Sequence, residues 1–179
     1  MTILKPLTIG SVHSFPNLVL APMSGVTNSC FRRLLREENP GAIGLVVTEF
    51  ISIEGLTRGN IKSQKMMDFK EIERPLSIQI FGHDINRMVE AAKMAEDAGA
   101  DIVDINSGCP VPKVVKRGGG CELMRQPLHL GAMLSRVASA IRVPLTLKIR
   151  SGWDENSVNA SEIARIAEES GVQMLAVHG

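Results

Sequence analysis

The sequence has no tyrosine, one tryptophan and five phenylalanines among 179 residues. With so few rings, a stacking platform for single-stranded nucleic acid is not expected within this stretch. Cysteine is nearly as scarce. Cys30, Cys109 and Cys121 are widely spaced and odd in number. That pattern gives neither a disulfide framework nor a CxxC zinc spacing, so no metal is expected and a reducing, cytoplasmic setting fits best. No apolar run approaches the roughly 20 residues of a membrane span, and Met1–Pro6 lacks a signal-peptide core, so no membrane contact is expected. Charge of either sign is not in excess: 20 Lys and Arg face 19 Asp and Glu. The balance argues neither for nor against nucleic acid, because a basic patch can form locally.

What is present is an alternation. Short apolar runs at Leu18–Ala21, Gly44–Thr48, Leu76–Gln79, Asp101–Ile105, Leu145–Ile149 and Met174–Val177 read as strands of a parallel sheet. Amphipathic stretches lie between them. Asn28 caps a predicted helix that buries Phe31, Leu34 and Leu35, with Asn39-Pro40 as its stop. Asp84 caps another, with Ile85, Met88, Val89, Ala92 and Ala95 on one face and Gly99 beyond its end. Leu130, Leu134, Val137 and Ile141 mark a third; Ile163, Ile166 and Ala167, closed by Gly171, mark a fourth. Residues 51–69 are expected to hold a loop and a short helix. Strand and helix in alternation imply right-handed crossovers, in either an open doubly wound sheet or a (β/α) barrel. The first turn carries Ala21-Pro22-Met23 rather than GxGxxG, which weakens the dinucleotide-binding alternative.

Chemically unusual residues fall at the C-terminal ends of successive predicted strands: Pro22 and Met23, Glu49, Gln79, Asn106 and Cys109, Lys148 and Arg150, then His178. In a barrel those ends converge on one mouth. Each residue also has a purely structural explanation. Glu49 could pair with a nearby base, Gln79 could satisfy backbone groups, Lys148 could form a salt bridge to Glu49 or another carboxylate, and His178 could be a hydrogen-bonded core histidine. Cys30 lies on an apolar stripe and reads as packing. Cys121 has no evident partner. Cys109 is different. It lies between Gly108 and Pro110, just past a buried strand, where the backbone is shaped to aim a thiol into the mouth. The basic stretch Lys113–Gly120 that follows reads as a mobile loop able to meet phosphates.

These motifs resemble the tRNA-dihydrouridine synthases. The likeness runs from about Val19 to His178, through Ala21-Pro22-Met23, Thr48-Glu49, Gln79-Ile80-Phe81-Gly82, Asn106-Ser107-Gly108-Cys109-Pro110, Lys148-Ile149-Arg150-Ser151-Gly152-Trp153 and Val177-His178-Gly179. The resemblance implies an α/β fold, a (β/α)8 TIM barrel represented here by about six βα units. It implies FMN at the mouth, NADPH as reductant and tRNA as partner. Pro22, Met23, Gln79, Lys148 and His178 would contact the flavin, Asn106 and Arg150 would lie near the substrate, and Cys109 would be the catalytic acid. Hydride would pass from flavin N5 to uracil C6, with the proton from Cys109 reaching C5. The family's last two barrel strands and its helical RNA-binding domain have no counterpart in this stretch, so the 179 residues alone are expected to bind FMN weakly and to reduce little tRNA. Two other readings stand beside this one. One is another FMN barrel of the dihydroorotate dehydrogenase kind; the other is a non-catalytic RNA-binding or assembly fragment.

Overall fold

The computed structural model describes residues 3–179. It opens with an antiparallel hairpin, β1 (Leu7–Ile9) and β2 (Val12–Ser14). The next elements are β3 (Val19–Leu20), α1 (Ser29–Glu38), β4 (Leu45–Val47), β5 (Ile51–Ser52), α2 (Ile53–Thr57) and α3 (Ile61–Lys65). Then come β6 (Leu76–Phe81), α4 (Ile85–Asp97), β7 (Ile102–Ser107), α5 (Pro112–Val115) and α6 (Pro127–Ala138). The chain closes with β8 (Leu145–Arg150), α7 (Ala160–Glu169) and β9 (Met174–His178).

The main sheet is parallel, ordered β3-β4-β6-β7-β8-β9, with β5 also on β6. Spatial order follows chain order. A doubly wound sheet would reverse direction at a switch point; this one never does. It curls into a half-barrel, the incomplete barrel expected from the sequence.

The strands alternate strictly, because successive side chains point to opposite faces. On one face Ile78, Ile80, Val103, Ile105, Leu147 and Ile149 are fully buried in the core that also holds Met88, Ala92, Leu130, Leu134 and Ile163 from the helices. The other face carries Ser77, Gln79, Asp104, Asn106, Thr146 and Lys148. The hairpin closes the bottom of this inner face: Ile9 packs with Leu45 and Ile102, with Leu7, Val12 and Met174 around them.

The helix signals act as written. Asn28 accepts the Phe31 N–H at 3.1 Å and Asp84 accepts that of Arg87 at 2.8 Å. Gly99 ends α4 at φ 92°, a conformation that favours glycine. Four expectations need correction. Cys30, read as packing, is exposed on α1. Leu34 is 54% exposed, and α1 instead buries Arg32; an ion pair described below supplies the reason. Residues 51–69 hold the short strand β5 and two short helices rather than one. The hairpin was not anticipated, although Leu7, Ile9 and Val12 flanking Gly10-Ser11 carry its signal.

Candidate active site

Register brings the site together. Gln79, Asp104 and Thr146 are neighbours across β6, β7 and β8. Two residues nearer the mouth, Asn106 faces Lys148; two further on, Arg150 faces His178. Period two therefore stacks these residues on one face in three tiers.

The lower tiers are joined by hydrogen bonds. The Thr146 hydroxyl donates to Asp104 Oδ1 at 2.5 Å, and Gln79 Nε2 donates to Asp104 Oδ2 at 2.5 Å. Asn106 Nδ2 donates to Gln79 Oε1 at 3.0 Å. The backbone N–H groups of Gly108 and Cys109 donate to Asn106 Oδ1 at 3.3 and 3.1 Å. A further bond, from Gln79 N to Thr48 Oγ1 at 3.1 Å, ties in β4's end. Burial pushes the Asp104 carboxyl up, while the Gln79 and Thr146 hydrogen bonds and the Lys148 charge oppose that push. Gln79 is itself fully buried. Asp104 and Thr146 were not singled out from the sequence, and Thr48 entered only through the Thr48-Glu49 motif. A carboxylate two residues before Asn106 and a hydroxyl two before Lys148, on the same period, were the available signal.

Cys109 is half-buried at the head of this tier. Its carbonyl accepts the Cys121 N–H at 3.0 Å. Gly120 makes that approach possible, since a Cβ there would lie 2.4 Å from the Cys109 carbonyl oxygen. Cys121 is buried, with its thiol beside Arg150 and Cys109, and so has partners after all. The three glycines of the basic stretch let it lie close to its neighbours. Gly118 is against the His83 ring, Gly119 against the Gly82 backbone and Gly120 against Cys109.

Lys148 is half-buried, and among the described residues no carboxylate lies within ion-pair distance of it. The salt bridge to Glu49 is therefore not formed. Glu49 instead accepts the N–H of Gly25. Its placement follows from a bulge: between Val47↔Ser77 and Ile51↔Ile80 this segment uses one residue more than β6, which re-aims the residues between. His178 is exposed at the end of β9.

Pro22 and Met23 begin a tight turn over the first strand's end. Val26 and Thr27 each donate a backbone N–H to Met23 O at 3.0 Å, and Met23 N donates to Thr27 Oγ1 at 3.0 Å. Met23 is 43% exposed, leaving an apolar wall beside the mouth. A buried ion pair holds the turn. Arg32 Nε lies 2.6 Å from Glu73 Oε2, and Arg32 Nη1 donates to Thr27 O at 2.7 Å. Ser29 Oγ and Lys70 N complete Glu73 at 2.6 and 2.8 Å. Neither charged residue was flagged by the sequence, because nothing local marks a charge that will be buried. A cleft of about 710 Å3 lies nearby between α1 and α3, lined by Asn28, Lys62, Lys65 and Asp68. Of the mouth residues it takes in only Glu49.

Comparison with known proteins decides the lineage. Residues 19–179 match the family model described as dihydrouridine synthase. The chain belongs to the dihydrouridine synthase family. It is 45% identical over 162 residues to a probable tRNA-dihydrouridine synthase of Rhizobium leguminosarum, covering 90% of this chain and 50% of that one. It is 42% identical over 175 residues to probable tRNA-dihydrouridine synthase 1 of Synechocystis, covering 98% and 48%. With tRNA-dihydrouridine synthase B of Pseudomonas putida the identity is 42% over 176 residues, covering 98% and 51%. The chain thus spans about half the length of the curated relatives it matches. Among solved structures, the carboxyl transferase domain of Rhizobium etli pyruvate carboxylase aligns with a TM-score of 0.56 at 18% identity, covering 89% of this chain and 26% of that one. That likeness concerns the fold alone. Among the described residues no helix is long and apolar enough to cross a membrane, and no group of three or more His, Cys, Asp or Glu could hold a metal ion.

Proposed function

We propose that this mouth reduces the C5–C6 double bond of a uridine in tRNA, with FMN as hydride carrier and NADPH as reductant. The observation that carries the reading is the half-buried Cys109, whose backbone N–H is held by Asn106 one tier above a cation with no carboxylate within ion-pair distance. The family membership supports the same substrate class.

The residues present fit a flavin. Lys148 supplies a positive charge that no carboxylate meets within ion-pair distance, though Asp104 feels it from the tier below, and it is suited to the anionic N1–O2 edge of a reduced ring. Met23 and Pro22 offer an apolar wall. Gln79, fully buried, supports these groups from below through its bonds to Asp104 and Asn106. Arg150 and His178 stand together at the lip for phosphate or substrate oxygens. FMN bound there supplies the hydride for C6. The task left to the protein is to hold the base, exclude water and deliver one proton to C5. Cys109 suits that task because it is half-buried at the mouth and its S–H is a proton donor. A uridine inside folded tRNA must first be turned out of its stack.

The test uses the intact protein, purified and examined for bound FMN and for dihydrouridine on unmodified tRNA, with Cys109→Ala alongside. Yellow protein, active with Cys109 and reduced by at least about a hundredfold without it, is expected. Yellow protein that leaves tRNA untouched and turns over dihydroorotate would overturn the substrate assignment.

A further inference from the structure

The reading of Cys109 as the acid leaves open what holds its turn in place. The hydrogen bonds below it form one continuous relay: Thr146, Asp104, Gln79, Asn106, then the backbone of Gly108 and Cys109. Two members are primary amides, and an amide turned end over end keeps its shape. Only its partners fix which way it faces.

At the mouth the partners are backbone N–H groups, which can only donate. The Asn106 atom beside them must be Oδ1. Its Nδ2 is then committed to Gln79, which must present Oε1. The Gln79 Nε2 is left facing Asp104, whose Oδ2 must accept. Each choice forces the next, and the last falls on a carboxylate. The Thr146 hydroxyl engages the other carboxyl oxygen, so Oδ2 stays an acceptor even if Asp104 carries a proton on the Thr146 side. Without an acceptor at position 104, Gln79 Nε2 would be a buried donor with no partner. Only the two backbone N–H groups would then hold the order, and the cost of the unpaired donor would pass up the relay to the Cys109 turn.

We infer that Asp104 is a positioning residue: as the acceptor that ends this buried relay, it sets the polarity of Gln79 and Asn106 and through them the placement of the Cys109 turn. The inference rests on the proposed role of Cys109 for its kinetic consequence, but not for its structural one.

The test compares Asp104→Ala with Asp104→Asn in the intact, flavin-loaded protein, with Cys109→Ala as control. An asparagine at 104 keeps an oxygen for Gln79 and offers its amide hydrogen to the Thr146 hydroxyl. Three quantities are read: the single-turnover rate of dihydrouridine formation, the FMN Kd, and the rate of Cys109 alkylation by iodoacetamide, resolved from Cys30 and Cys121 by peptide mass mapping. Asp104→Ala is expected to lower the single-turnover rate by about tenfold and to change Cys109 alkylation by a comparable factor, with the FMN Kd shifting less than about threefold. Asp104→Asn is expected to stay within about threefold of the parent in all three. Parent-like behaviour of Asp104→Ala overturns the inference. So does an equal loss in Asp104→Asn, which would point to charge rather than to an acceptor. If Asp104→Ala does not fold, the side-chain amide protons of Gln79 and Asn106 in the unaltered protein decide: two resolved, slowly exchanging pairs support the relay, and rotationally averaged pairs overturn it. Should Cys109→Ala keep full activity, the acid assignment falls, while the alkylation comparison still judges Asp104.

Discussion

The two faces of the half-barrel are made by alternate residues of the same strands, yet they do different work. On β7, Val103 and Ile105 enter the apolar layer beneath the helices, while Asp104 and Asn106 enter the polar relay. On β8, Leu147 and Ile149 face helices while Thr146 and Lys148 face the interior. The outer face is held by area removed from water, which is non-directional and tolerant of apolar exchange. The inner face is held by directed bonds, whose loss also changes the geometry of the groups they orient. Substitutions on the two faces should therefore separate cleanly into losses of fold and losses of chemistry.

The largest expected effect lies on the inner face. Cys109→Ala should lower the single-turnover rate about 10²–10⁴-fold while leaving the thermal midpoint nearly unchanged, because the side chain is half-buried and its backbone bonds persist. A large fall in midpoint with intact activity would place Cys109 among the packing residues and dissolve the distinction there.

Next comes the exception to the comparison. Arg32 and Glu73 form a polar island in the outer layer, 2.6 Å apart and almost fully buried. Removing one partner strands the other, at a typical cost of about 3–5 kcal/mol. Glu73→Ala should show this loss in denaturant unfolding. Because Arg32 also holds the Thr27 carbonyl at the end of the Met23 turn, FMN affinity should fall with it. A stability loss with unchanged FMN binding would show that the turn holds itself.

Leu147→Ala tests the outer face proper. Leu147 is fully buried between sheet and helices, and deletions of this kind cost about 2–5 kcal/mol depending on how far the site collapses. Remaining folded protein should retain normal Cys109 alkylation and FMN Kd. Changes in both would mean that the faces are mechanically coupled through the strand.

The same alternation explains what the sequence disclosed and what it withheld. The six strand candidates, three of the four helical stripes and the caps Asn28 and Asp84 were legible because apolar periodicity and capping act over a few residues. The strand ends that assemble the mouth followed from topology. Arg32 was not legible, since its burial depends on Glu73, which is distant in sequence and meets it only after folding. The relay was half legible. Gln79, Asn106 and Lys148 stand out as polar residues at strand ends, while Asp104 and Thr146 lie within apolar runs and carry no local mark. Which neighbours lie across the sheet is a matter of register, and register is set by the whole barrel.

The smallest effect sits where the faces meet, at Cys121. Burial pushes its thiol up from the ordinary 9.0, the nearby Arg150 guanidinium pulls it down, and Cys109 adds to the upward push. A raised acid pKa means that the folded state holds the proton more tightly than the unfolded chain does. Its contribution is level below the unfolded value and declines as pH climbs from there toward the folded value. Cys121→Ala should thus cost about 1 kcal/mol near neutrality through lost burial of sulfur. The gap to the parent should narrow above pH 9, because the parent alone loses this contribution. Denaturant unfolding of both proteins at neutral and alkaline pH reads the difference directly, and the lysines common to both cancel. A gap that widens with pH would reverse the sign, making Arg150 the dominant neighbour and Cys121 a thiolate partner for it rather than a buried thiol.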